Sequence, residues 1–352
     1  MKSNRNRIVA TLIVLAVVAL IWFERHRIHF DWHAFGQQLR MADWRRIVFG
    51  LGCIYAAYLV RSVRWAWLVR HKKKLSPLSL LGTQVIGFTA VALIGRFADL
   101  VRPYLVSKKT GLPLSSQIAV YVVERLFDAG SMALITSSVI LLSPSGSLPH
   151  PEVLREAGYW GLALTVLGTL FLVVVRLNGE AVASFFERIF SLLSKRIGLA
   201  VADKIRAFHS GLDTIRSLSD FAVAAALSLG MWLIIALAYL ETTLAFVASP
   251  ELAAMTPAKG VLLMIVSGGA SIIQLPVLGW FTQIGLVAAA ISKFFGVDAE
   301  PAMGCAATLL LVTFLGIVPI GLAWARFEHV SLKKLTEESE HAGEELAHRR
   351  VG

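Results

Sequence analysis

The feature that most constrains this chain is a succession of apolar runs, each near the roughly 20 residues that carry a helix across a bilayer. They cover residues 8–23, 47–68, 120–142, 160–175, 221–247, 260–275, 278–295 and 303–324. Hydropathy therefore predicts about eight spans. A ninth apolar segment, 78–94, runs directly into Arg96, Asp99 and Arg102. Charge that dense cannot face lipid, so this segment is predicted to break or re-enter. Hydrocarbon offers the backbone no hydrogen bonds, which leaves helices as the form such runs take. The expected fold is all-α, a polytopic helical membrane protein with one or two broken or re-entrant helices.

Composition agrees. The chain is 56% hydrophobic and 16% charged, against about 45–50% and about 25% for an average soluble domain. Residues 1–330 read as one helical membrane domain, with 178–220 as an amphipathic cytoplasmic linker and 331–352 as a charged cytoplasmic tail. The basic start followed by 8–23 has the first two parts of a signal peptide. However, Glu24-Arg25-His26-Arg27 follows in place of a small-residue cleavage pattern, which favours a retained span.

The net charge of +11 sits mainly between the apolar runs, where it sets topology and attracts anionic headgroups, so no nucleic-acid role is expected. With the N-terminus inside, Arg70, Lys72 to Lys74, Lys108, Lys109, the basic linker and the tail all fall on the cytoplasmic side. Loops 143–158 and 249–259 fall outside and are nearly free of Lys and Arg; the loop 24–46 alone dissents. The expected location is a bacterial inner membrane with both termini cytoplasmic.

Ionisable groups inside apolar segments carry the functional signal, because each is costly unless paired or hydrated. Arg61 and Arg64 are three apart on one helical face. Arg96, Asp99 and Arg102 repeat that spacing, and Glu124 and Asp128 share a face on which Arg125 could pair with Asp128. One reading is a polar cavity whose arginines hold a lipid phosphate, since the guanidinium fork matches phosphate oxygens. The plainer reading is mutual neutralisation at helix ends. A second irregular segment, 267–285, contains Gly268, Gly269, Pro276 and Gly279 with Gln274 and Gln283, consistent with a broken helix at a substrate site or with an ordinary kink. Glu241 is a further isolated acid.

Soluble-type catalysis finds no motif. There is no phosphate-binding loop or dinucleotide fingerprint, and the nine histidines lack zinc-site spacing. Cys53 and Cys305 are far apart in apolar runs, so neither a disulfide framework nor a metal cluster is expected. No cofactor and no metal follow from the sequence.

The order Arg64-Trp65, then Arg96-Phe97-Ala98-Asp99 with Arg102, then Gly111-Leu112-Pro113, then Val122-Val123-Glu124-Arg125-Leu126-Phe127-Asp128 resembles the membrane region of lysylphosphatidylglycerol synthases, a flippase-like family also found as stand-alone chains. The family's later glycine-rich break is similar in placement to 275–285. Ala98-Asp99 replaces a Gly-Glu pair, and Gln283 stands where the family has Glu. The resemblance implies a lipid transporter or lipid-binding accessory without the soluble aminoacyl-transferase domain, hence not an enzyme. The implied substrate is an anionic, aminoacylated or polyprenyl-linked lipid. Arg64, Arg96, Asp99, Arg102, Glu124, Arg125, Asp128 and Gln283 are the candidate binding residues. The alternatives are a membrane-embedded lipid-phosphate transferase using Asp99 or Asp128 as base, or a structural partner of a lipid- or glycan-synthesis enzyme. Oligomeric state is not legible.

Overall fold

A computed structural model describes residues 31–144, 151–192, 194–211, 217–271, 278–328 and Glu338; a few side chains within these segments, including that of Arg96, are not described. The predicted first span, the centre of the 267–285 break and nearly all of the tail lie outside the described residues. What is described is helical, with no strand. The all-α expectation holds.

Two antiparallel helices form the frame. α1 (Trp32–Met41) is a short lead-in whose N-terminus is capped by Asp31, and α2 (Trp44–Val69) follows. Four further elements, α3 (Pro77–Ile94), α4 (Val101–Thr110), α5 (Leu114–Leu142) and α6 (Pro151–Ser191), lead through α7 (Lys195–Gly211) to α8 (Leu218–Leu244). α8 packs along α2. Gly50 makes this possible, because a Cβ there would lie 2.8 Å from Thr242 Oγ1. Ion pairs pin both ends of the pair. Arg46 Nη1 lies 2.6 Å from Glu241 at one end, and Arg70 pairs with Asp220 at the other. Glu241 is thereby accounted for as a frame contact. Asp220 also closes a capping box with Ser217, which fixes where α8 begins.

Two helical hairpins enter this frame from opposite ends. The first is α3, a 3-10 turn (Arg96–Leu100) and α4. Gly95 makes the break, with φ of 92° and ψ of −169°, a conformation that essentially only glycine adopts. α3 runs roughly 27 Å inward, and the 3-10 turn and α4 return roughly 25 Å. The return is fixed at the base, where Lys73 Nζ donates to the Thr110 carbonyl at 2.7 Å and Lys72 Nζ to Ser116 at 2.8 Å. The predicted re-entry of 78–107 is thus what the chain does.

The second hairpin follows α9 (Pro250–Ala253) and consists of α10 (Pro257–Ala270) and α11 (Leu278–Phe295). It opens at the Glu241 end, where Gly260 meets Leu240 and Lys259 Nζ lies 5.4 Å from the Phe295 ring centroid. α10 is roughly 21 Å long, short of the roughly 30 Å hydrocarbon core. The runs 260–275 and 278–295, expected as two separate spans, are therefore the two arms of one hairpin. The hairpin tips touch, with Trp280 Nε1 donating to the Ala92 carbonyl at 3.2 Å.

A bent span completes the bundle. α12 (Ala299–Thr313) passes through a second 3-10 turn (Leu315–Ile317) into α13 (Val318–Phe327), and the two halves differ in direction by 41°. Tyr55 Oη donates to the freed Gly316 carbonyl at 2.7 Å, which supplies a bond lost at the bend. α13 lies so close to α3 that Cβ atoms at Gly82 and Gly321 would strike Trp324 and Thr89. α6 bends at Asn178 and packs against α7, through Arg206 bridging Glu180 at 2.8 Å and Glu187 at 3.3 Å.

Among the described residues three helices are long and apolar enough to cross a membrane unaided: α2, α3 and α8. Counting bent pairs as single spans raises that to five. The predicted eight includes the run 8–23, which lies outside the described residues, and two runs that are the arms of one hairpin. The outer faces carry large exposed apolar side chains, such as Val48, Phe49, Leu164, Leu167, Leu170 and Leu233. In water such a surface would drive aggregation; for a membrane protein it is the face solvated by lipid.

Candidate functional site

The interior of an apolar bundle is the costliest place for charge, yet this one holds five charged side chains in mutual contact. Arg61 and Arg64 come from α2, Arg102 from α4, and Glu124 and Asp128 from α5. All are at most 7% exposed. Arg64 is the centre. Its Nη2 donates to Glu124 Oε1 at 2.6 Å, and its Nη1 donates to Asp128 Oδ1 at 2.6 Å and to Ser228 Oγ at 2.5 Å. Its planar fork thus clamps two carboxylates one helical turn apart.

Arg102 approaches Glu124 Oε2 at 3.2 Å and donates from Nη1 to Gln84 Oε1 at 3.0 Å. Gly87 on α3 makes room for it, since a Cβ there would sit 2.1 Å from Arg102 Cγ. Arg61 holds its acids more loosely, at 3.4 Å from Asp128 Oδ2 and 3.8 Å from Glu124 Oε1. The Phe88 ring lies between the arginines, 4.7 Å from the Arg61 guanidinium and 4.5 Å from that of Arg102. Such cation–π contacts replace part of the lost hydration. Trp232 Nε1 donates to Asp128 Oδ1 at 3.3 Å.

Three guanidinium groups meet two carboxylates here, leaving one positive charge uncompensated within the cluster. Several buried donors have no hydrogen-bond partner among the described residues: Arg61 Nε, Arg102 Nε and Nη2, and Arg125 Nε. Unpartnered donors of a buried cation are expensive in a dry interior. They call for water or for an anion.

A cavity of about 210 Å³ provides the place. It lies where the hairpin tips and the α12–α13 bend converge. Arg61, Asp99 and Arg125 line one side; Tyr239, Ser267, Gln283 and Thr313 line another. A larger apolar groove of about 490 Å³ between α5, α6 and α8 has no charged lining residue.

The predicted site residues divide into two sets. Arg64, Arg102, Glu124 and Asp128 come together as the locked cluster and do not line the cavity. Asp99, Arg125 and Gln283 line the cavity. The side chain of Arg96 lies outside the described residues. Two spacing arguments need correction. The positions Arg96, Asp99 and Arg102 do not lie on a single α-helix: a 3-10 turn carries the first two and α4 the third. Asp128 takes Arg64 as its close partner, whereas Arg125 stands over the Tyr121 ring at 5.0 Å.

Arg61 is the cavity residue missing from the predicted set, although its three-residue offset from Arg64 already placed it on the right face. Tyr239, Ser267 and Thr313 had no distinguishing signal, because hydroxyls in apolar helices commonly bond their own backbone. Among the described residues no group of acidic, His or Cys side chains could hold a metal.

Neither the curated proteins nor the solved structures provide a match to the chain. The family model described as the lysylphosphatidylglycerol synthase TM region matches residues 7–321, which is most of the sequence, and makes this chain a member of that family of membrane proteins of lipid metabolism or transport.

Proposed function

We propose that the chain is a flippase-like lipid transporter, or a lipid-binding accessory of the cell envelope, that receives an anionic headgroup in the cavity between the hairpin tips. The observation that carries this reading is that Arg61, loosely held, and half-buried Arg125 both line a cavity inside an apolar bundle, each with a buried Nε that has no partner among the described residues. Opposed broken helices around a central polar site are how many transporters place substrate near the bilayer midplane. In this reading the locked cluster of Arg64, Arg102, Glu124 and Asp128 is the scaffold and Arg61 and Arg125 are the phosphate ligands.

The setting proposed is a bacterial cytoplasmic membrane with both termini cytoplasmic. Membrane lipids are the partners, and a lipid- or glycan-synthesis enzyme is a possible neighbour. No catalysis is assigned. A transferase using Asp128 as base is disfavoured by geometry: its two oxygens face Arg61, Arg64 and Trp232, and it does not line the cavity.

The test is reconstitution in vesicles with fluorescent phospholipid, reading leaflet exchange and retained lipid by native mass spectrometry. Arg61→Gln with Arg125→Gln should abolish both. Unchanged exchange and unchanged lipid retention in the folded double variant would refute the assignment.

A further inference from the structure

The far wall of the cavity differs in kind from the arginine wall. Gln283 on α11 is 4% exposed; its Nε2 donates to Ser267 Oγ at 2.9 Å, while its buried Oε1 has no partner among the described residues. That oxygen is a neutral acceptor at the lining of a cavity. The Tyr239 hydroxyl lines the same part of the cavity, beside Ser267 and Thr313. Thr313 Oγ1 already donates to the Leu309 carbonyl at 2.7 Å, so it meets the cavity as an acceptor. This wall therefore presents hydroxyls and an amide oxygen and no formal charge.

The acids near the cavity are committed to the other wall. Glu124 and Asp128 serve Arg61, Arg64 and Arg102. Asp99, which also lines the cavity, lies within electrostatic reach of Arg102 and Arg125. An ammonium-bearing headgroup placed against Gln283 would lose its hydration and would have to compete with Arg125 for Asp99, the one carboxylate in the described lining, which is costly. Hydroxyl groups fit the same wall without that cost, because each O–H can donate to a neutral acceptor.

Resting on the phosphate-site reading above, we infer that the cavity selects a lipid phosphodiester whose headgroup is uncharged and hydroxyl-bearing, with the phosphate toward Arg61 and Arg125 and the hydroxyls toward Gln283, Ser267 and Thr313. The consequence is rejection of cationic, aminoacylated headgroups.

The experiment measures binding of short-chain phosphatidylglycerol, phosphatidic acid and lysylphosphatidylglycerol to the purified full chain in detergent, with glycerol phosphate as the lipid-free probe. Phosphatidylglycerol should bind roughly fivefold to tenfold better than phosphatidic acid, about the worth of one or two hydrogen bonds. It should also exceed the lysyl lipid. Gln283→Leu or Ser267→Ala should erase the advantage over phosphatidic acid. Gln283→Glu, which preserves shape, should shift preference toward the lysyl lipid.

Arg61→Gln separates the two claims. If it weakens every phospholipid but the Gln283 and Ser267 variants leave the headgroup ranking unchanged, the phosphate site stands and the headgroup inference falls. If Arg61→Gln changes nothing, the underlying phosphate reading falls. Glycerol phosphate binding as tightly as the lipid would overturn the lipid part of the inference.

Discussion

Replacing Arg64 by Ala tests whether the buried cluster is a charge lock or a set of separable hydrogen bonds. Arg64 is 0% exposed and donates to Glu124, Asp128 and Ser228. If each contact acted as an ordinary hydrogen bond within a membrane, its loss would cost about 0.6 kcal/mol, and three would total near 2 kcal/mol. The lock predicts more. Without Arg64, the only charged partners of the two buried carboxylates within the cluster are Arg61, at 3.4 and 3.8 Å, and Arg102, at 3.2 Å.

Breaking a buried pair while leaving its partner charged costs about 3–5 kcal/mol. Equilibrium unfolding in mixed micelles, followed by circular dichroism, should therefore show Arg64→Ala destabilised by about 3–5 kcal/mol. Adding Asp128→Asn removes one orphaned charge, so the double variant should recover part of the loss. An Arg64→Ala cost of about 2 kcal/mol or less would refute the lock, as would losses that simply add in the double variant. Arg64→Lys should fall between the two, because a lysine cannot present a bidentate fork.

Gly87→Ala should destabilise by about 1–3 kcal/mol in the same assay through its clash with Arg102 Cγ, and a neutral result would mean that α4 slides freely on α3. Gly95→Ala should cost about 1–3 kcal/mol, since φ of 92° with ψ of −169° excludes a Cβ; unchanged stability would place the hairpin turn elsewhere. Arg46→Ala should cost under about 1 kcal/mol, because that ion pair is 41% and 20% exposed and screened. Cys53 and Cys305 are both buried, so a water-soluble maleimide should label neither until the protein unfolds; rapid labelling of the native protein would contradict the packing of α2 and α12.

Much of this architecture was legible from the sequence because the bilayer imposes so strong a rule on apolar runs. The re-entry of 78–107 followed from charge alone, since Arg96, Asp99 and Arg102 could not continue a lipid-facing helix. The i, i+4 placement of Glu124 and Asp128 was equally readable, because it depends only on helical period. Their partner was not. Arg64 lies 60 residues from Glu124 and 164 from Ser228, and nothing local states which helix faces which. Hydropathy also could not tell that 260–275 and 278–295 fold back together, because either arm alone has the composition of a span. Gln283 and Ser267, 16 residues apart, meet only once that hairpin has closed.

The distance along the chain between Arg64 and its acids also sets a schedule for biogenesis. α2 carries two buried arginines, Arg61 and Arg64, and each would cost about 2.5–3.5 kcal/mol at the centre of a bilayer. Glu124 follows Arg64 by 60 residues, which takes roughly 3–12 s to synthesise at about 5–20 residues per second. For that interval α2 holds its guanidinium groups without the carboxylates that neutralise them. α2 must wait beside the insertion machinery, or lie shallow with its arginines drawn to the headgroups, until α5 arrives. The helix that supplies the centre of the charge cluster in the finished protein is therefore its least committed one during assembly.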